Sequence, residues 1–218
     1  MILKYMILFE ATQLLAVGVL LYAMFRKLRA TGEGRLLFLS FGAYTISLLL
    51  RLHNTSAMAG VEMFTFSEVF AVGDHLFKVL FFILFAYALM DALVEEPALK
   101  DITRSTALIA VALAFTFSTG LIVKEGENLK FIFTQKELVY ELAEGILSLL
   151  VLNILYHSWR DTRSRRLLLS GTAFLFFFVG SIGHSYNLMW GFTWERQLLT
   201  DFFRLIGFVV LAYSTVRE

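Results

Sequence analysis

Asp74, His75 and Lys78 lead directly into the apolar stretch VLFFILFAYALM. A charge near the centre of a bilayer costs about 2.5–3.5 kcal/mol on insertion scales, so ionisable groups there pair with one another and face a cavity or a bundle interior. Other groups of the same kind recur along the chain. Glu10 lies in the first apolar run and Arg51 at the end of the second; Glu68 joins Asp74, His75 and Lys78 within about a third of a helical circumference. Glu141 and Glu144 share a stripe with Glu137 and Ser148, His184 sits near Ser181 and Asn187, and Asp201 and Arg204 share a face with Gln197. Glu10, Arg51, Glu68, Asp74, His75, Lys78, Glu141, Glu144, His184, Asp201 and Arg204 are therefore the expected ligand-binding set.

Three chemistries are open to such a set. His75 and His184, with carboxylates such as Glu10, Glu144 or Asp74, are candidate ligands for a divalent metal, although no tight spacing such as HExxH is present and Lys78 and Arg204 would repel a cation. The same two histidines are the candidates for a bis-histidine haem, set among charges that disfavour it. Proton or ion relay is the usual use of Asp, Glu and His chains in a membrane. Zero cysteines remove disulfides, thiolate metal sites and iron–sulfur clusters.

The elements that must hold these residues are long and apolar. The chain is 58% hydrophobic and 16% aromatic over 218 residues, far outside the range of a soluble domain. The net charge of +1 leaves no footprint for nucleic acid. Runs of the length needed to cross about 30 Å of hydrocarbon occur near 5–25, 36–54, 69–92, 104–123, 138–159, 167–188 and 198–215. The expectation is an all-α integral membrane protein, a bundle of seven transmembrane helices. Pro97, the only proline, falls in a loop, and glycines mark turns at 31–34 and 124–128. The first run is too long for a cleavable signal, and its positive cluster follows it.

One side of the bundle carries Arg26, Lys27, Arg29, Arg35, Lys100, Arg104, Arg160, Arg163, Arg165, Arg166 and Arg217, the other only Lys4, Lys124, Lys130, Lys136 and Arg196. The positive-inside rule then places the N-terminus outside and the C-terminus in the cytoplasm of a multi-pass plasma-membrane protein. In that orientation most of the ionisable groups occupy the outer half. The inner halves read FFILFAYALM, FLFFF and IGFVVLAY, an aromatic plug beneath a charged pocket.

An internal repeat follows the same layout. Glu10, Leu15, Tyr22 and Arg26 superpose on Glu144, Leu149, Tyr156 and Arg160; Arg35, Ser40 and Ala43 on Arg165, Ser170 and Ala173; and Lys78, Phe82, Ala86 and Tyr87 on Arg204, Phe208, Ala212 and Tyr213. The offset shortens by the same step at each loop. Two parallel three-helix repeats, about 1–93 and 136–216, are thus joined by a connector helix at about 104–123. Positions 75 and 78 face 201 and 204 in this scheme, so opposite charges can pair between them, with an ion pair of Asp201 and Arg204 on their own helix as the alternative.

Asp74-His75-Leu76-Phe77 is similar to the Asp-Trp-Leu-Phe run that carries the counter-ion in microbial rhodopsins, and Asp201 followed by Gly207-Phe208 is similar to their Asp-x5-Gly-Phe run. The 3+1+3 topology with an outer N-terminus also resembles that family, while SWEET-type sugar transporters share the parallel triplets but have a Pro-Gln motif absent here. The resemblance implies a seven-helix fold. It does not carry retinal with it: Leu205 stands where the family has its retinal lysine, and the sixth run lacks the Trp and Pro of the pocket. A relocated Schiff base would use Lys78, the only lysine well inside a run.

The leading expectation is a rhodopsin-like receptor or sensor without retinal. It would take a small polar or ionic ligand from outside and act on a cytoplasmic signalling partner. A proton- or ion-coupled transporter and a metal-dependent intramembrane hydrolase acting on lipid are the alternatives.

Overall fold

The computed structural model describes residues 2–65, 68–94, 100–101, 105, 108–109 and 129–216, with side chains from 69 onward in the third helix and from 138 onward in the fourth. They form α1 (Ile2–Thr31), α2 (Arg35–Met58), α3 (Glu68–Leu93), α4 (Leu129–Thr162), α5 (Arg165–Met189) and α6 (Trp194–Val216). All six are long and apolar enough to cross a membrane. The sequence predicts seven. The run at 104–123 lies outside the described residues except at isolated positions, as does the glycine turn at 124–128.

The helices run past the apolar windows at both ends because nothing in their flanks breaks them. Breaks come where glycine permits a left-handed backbone: Gly32 and Gly34, with φ of 73° and 82°, make the turn between α1 and α2, and the Gly32 amide still donates to Leu28 O at 2.9 Å. At the other end of the bundle the Asn187 side chain clamps the α5–α6 turn, donating to Thr193 O at 3.1 Å and accepting from Thr193 N at 2.9 Å.

Burial is inverted relative to a soluble bundle. On α1 Glu10 and Gln13 are 0% exposed, while Leu8 and Leu15 are 62% and 73% exposed. Polar groups turned inward and aliphatic groups turned outward are the pattern a hydrocarbon solvent imposes.

The six helices close into a ring. Each packs on its neighbours in chain order and α6 returns to α1. Helices α3 and α4 run parallel, since His75 meets Tyr140 near one end and Met90 and Val94 meet Ile154 near the other. Early residues of α1 likewise meet early residues of α6, Phe9 against Phe202.

The lower half of the ring is filled with aromatic rings. Tyr44 lies 4.9 Å from Phe81 and 4.5 Å from Phe208, Phe208 lies 4.6 Å from Phe177, and Phe85 lies 4.7 Å from Phe174. These tilted and edge-on pairs make a dry layer spanning α2, α3, α5 and α6. Gly207 lets it close: a Cβ there would stand 2.6 Å from a Phe177 ring carbon and 3.0 Å from Ala173 O.

Candidate functional site

Above the aromatic layer the ring interior is charged. Arg51 comes from the end of α2, where its side chain remains 11% exposed. Its Nε donates to Glu10 Oε1 at 2.9 Å and its Nη2 to both Asp201 oxygens at 2.8 and 2.7 Å. Three helices are thereby joined by one guanidinium, in the forked geometry that suits arginine to paired carboxylates. Thr55 Oγ1 donates to the same Glu10 oxygen at 2.9 Å, Gln13 reaches the Asp201 carbonyl at 3.0 Å, and Gln197 Nε2 reaches the Asp201 carboxylate at 3.2 Å.

A second guanidinium does the same work on the other side. Arg204, fully buried on α6, bonds Glu141, lies 3.4 Å from Glu144 and 3.5 Å from Asp201. His184 Nε2 is 4.0 Å from Glu141 Oε1. Asp201 therefore bridges the two arginines. Lys78 Nζ sits 3.2 Å from Asp74 on its own helix, and Ser47 Oγ donates to the other Asp74 oxygen.

A cavity of about 260 Å³ opens over this network. Arg51, Asp74, His75, Lys78, Glu141 and His184 face it, together with Asn54, Thr55, Tyr140 and Gln197. Its rim is apolar, built from Met6, Met58, Ala71, Val72, Phe192 and Trp194. All of the rim residues belong to the end of the bundle that holds the N-terminus and the α2–α3 and α5–α6 turns.

The structure thus divides the residues expected from the sequence. Glu10, Glu144, Asp201 and Arg204 stand behind the cavity wall and organise the groups that face it. The Glu68 and Glu137 side chains lie outside the described ones. The expected pairing between α3 and α6 takes another form, with Asp201 on Arg51 and Arg204 and Lys78 on Asp74. His75 stacks on Tyr140, centroids 5.0 Å apart and planes within 4°. His53, off the polar faces, packs edge-on against Phe64 and Phe70, and His157 is exposed. Among the described residues no three His, Cys, Asp or Glu side chains are grouped to hold a metal ion.

Tyr140, Phe192 and Trp194 are site residues that helical periodicity does not single out, whereas Gln197 shares the polar face of Asp201 and Arg204. An aromatic ring near a helix end reads as an interfacial anchor. The only signal for Tyr140 is position, since it directly precedes Glu141.

Comparison with known proteins finds no family model, curated protein or solved structure that matches the chain.

Proposed function

We propose that the chain is a seven-helix membrane receptor or sensor that binds a small polar or ionic ligand in this cavity. The observation that carries the reading is a charged cavity open at one end of the ring and backed at the other by a dry aromatic layer. Alternating access needs polar lining on both sides of a site, and reception at one face does not.

The seventh crossing is supported by the parallel run of α3 and α4. The chain leaves α3 at one end of the ring and enters α4 at the opposite end, and the apolar run at 104–123 in the sequence between them has the length to cross the hydrocarbon. The ring order also suits two three-helix repeats in the 3+1+3 arrangement, α1–α3 and α4–α6, each closing onto the other. The arginine and lysine bias puts the cavity mouth outside, with the C-terminus cytoplasmic in the plasma membrane and a signalling partner on that side.

Thermal stabilisation by a library of small polar compounds tests the reading, with wild type set against Val72→Trp and Ala71→Trp, which fill the cavity from its wall. Compounds that stabilise wild type but neither variant support it. Hits that stabilise all three alike place binding elsewhere, and gradient-driven uptake of such a hit into proteoliposomes would replace the receptor with a transporter.

A further inference from the structure

Resting on that cavity as the binding site, its chemistry narrows the ligand. Among the described residues, five carboxylates (Glu10, Asp74, Glu141, Glu144 and Asp201) share the network with three permanent cations, Arg51, Lys78 and Arg204. Each cation is already engaged: Arg51 by Glu10 and Asp201, Arg204 by Glu141, Glu144 and Asp201, and Lys78 by Asp74. Counted with every carboxylate ionised and His75 and His184 neutral, the network carries two more negative charges than positive ones, where desolvation makes any unbalanced charge expensive. A visiting anion would add to that excess and a visiting cation would reduce it.

A second observation, independent of charge, points the same way. Tyr140 and Gln197 are 2% and 4% exposed, both line the cavity, and among the described residues neither Tyr140 Oη nor Gln197 Oε1 has a hydrogen-bond partner. The Gln197 amide nitrogen already serves Asp201, so the group it leaves over is an acceptor. A buried acceptor without a donor is costly to keep, and a ligand N–H satisfies it.

Shape supplies the rest. The cavity lies just below the roughly 300–1,000 Å³ of sites for drug-sized molecules, and its rim of Met6, Met58, Phe192 and Trp194 is apolar and aromatic. Aromatic faces at the mouth favour a cation and accommodate a short hydrocarbon or ring behind it. We infer that the cavity takes a small organic ammonium compound, its N–H groups toward Gln197, Tyr140 and the Asp74 and Glu141 carboxylates and its apolar part in the rim. A metal ion is a poorer match, given the absence of a three-ligand group among the described residues.

The test uses the full chain in nanodiscs with three probes of matched shape: phenethylammonium, phenethyl alcohol and phenylacetate. The ammonium is expected to bind saturably, about tenfold or more tighter than the alcohol, with phenylacetate weakest. Tyr140→Phe removes a hydroxyl that has no partner among the described residues, so its unliganded melting temperature stays at or above wild type while ammonium affinity falls about three- to tenfold. Equal or tighter binding of the alcohol or the carboxylate, no saturable binding of the ammonium, or unchanged affinity in Tyr140→Phe each overturns the assignment. A library hit of another charge class that is lost in Val72→Trp and Ala71→Trp would sink the ammonium assignment and leave the pocket standing; hits insensitive to both variants would remove the pocket itself.

Discussion

Arg51 holds both carboxylate oxygens of Asp201, 150 residues away in the chain, at 2.8 and 2.7 Å, while its Nε holds Glu10. One side chain on α2 thus ties α1 to α6 at the point where the ring closes. Arg51→Met removes the cation and leaves two buried carboxylates facing each other, a loss of about 3–5 kcal/mol. Thermal or denaturant unfolding should show it. Adding Glu10→Gln and Asp201→Asn to the same variant should restore part of the loss, because the stranded charges go with the cation that balanced them.

Arg204 makes a sharper case, since charge alone does not replace it. It meets Glu141, Glu144 and Asp201 from different atoms of one planar group. In Arg204→Lys a single ammonium keeps the charge but spans only part of that set, so the variant should lose stability by about 2–4 kcal/mol in the same unfolding assay. A variant as stable as wild type would mean that only the charge matters here.

The aromatic layer is predicted to be tight at one named point. A Cβ on Gly207 would meet Phe177 ring carbons at 2.6 and 2.9 Å and a backbone oxygen at 3.0 Å, whereas Gly42 has nothing within 4 Å. Gly207→Ala should therefore destabilise by about 1–3 kcal/mol through forced repacking. Gly42→Ala, in the same kind of helix interior, should be neutral or stabilising by about 0.5–1 kcal/mol. Melting temperatures of the two variants, measured side by side, check the contrast.

The absence of native cysteine makes topology directly measurable. Single cysteines at the exposed positions Glu62 and Glu195 should react with an impermeant thiol reagent from outside intact cells; those at Glu33 and Asp161 should react only after permeabilisation. Cysteines placed at Glu96 and Gly126 should fall on opposite sides, as a crossing between them requires. Labelling of that last pair from the same side would remove the seventh helix.

Much of the framework was legible before any coordinates. Length and hydropathy set the helices, and the glycine turn at 31–34 ends α1 where expected. The spacing of Asp201 and Arg204, or of Glu141 and Glu144, identifies the inward face of a helix because hydrocarbon leaves a charged group no other low-cost direction. Partner choice was not legible. Helical periodicity says which way Arg51 points but nothing about which carboxylate it meets, and pairing across the repeat sets Asp201 against α3 where the structure sets it against Arg51 and Arg204. Tyr140 is not legible for a related reason, since a polar atom without a partner becomes visible only when every neighbour is in place.

The sequence by itself determined an all-helical membrane chain, the inward faces of its helices and the division between a charged half and an aromatic half. These follow from one-dimensional constraints: the thickness of hydrocarbon, the helical repeat and the cost of exposing charge to lipid. Only the tertiary structure decided that α6 closes onto α1, that Asp201 bridges two arginines, and which charged groups face the cavity rather than stand behind its wall. Those are relations between helices far apart in the chain, and a guanidinium settles among several carboxylates by distance and angle, which residue spacing does not encode.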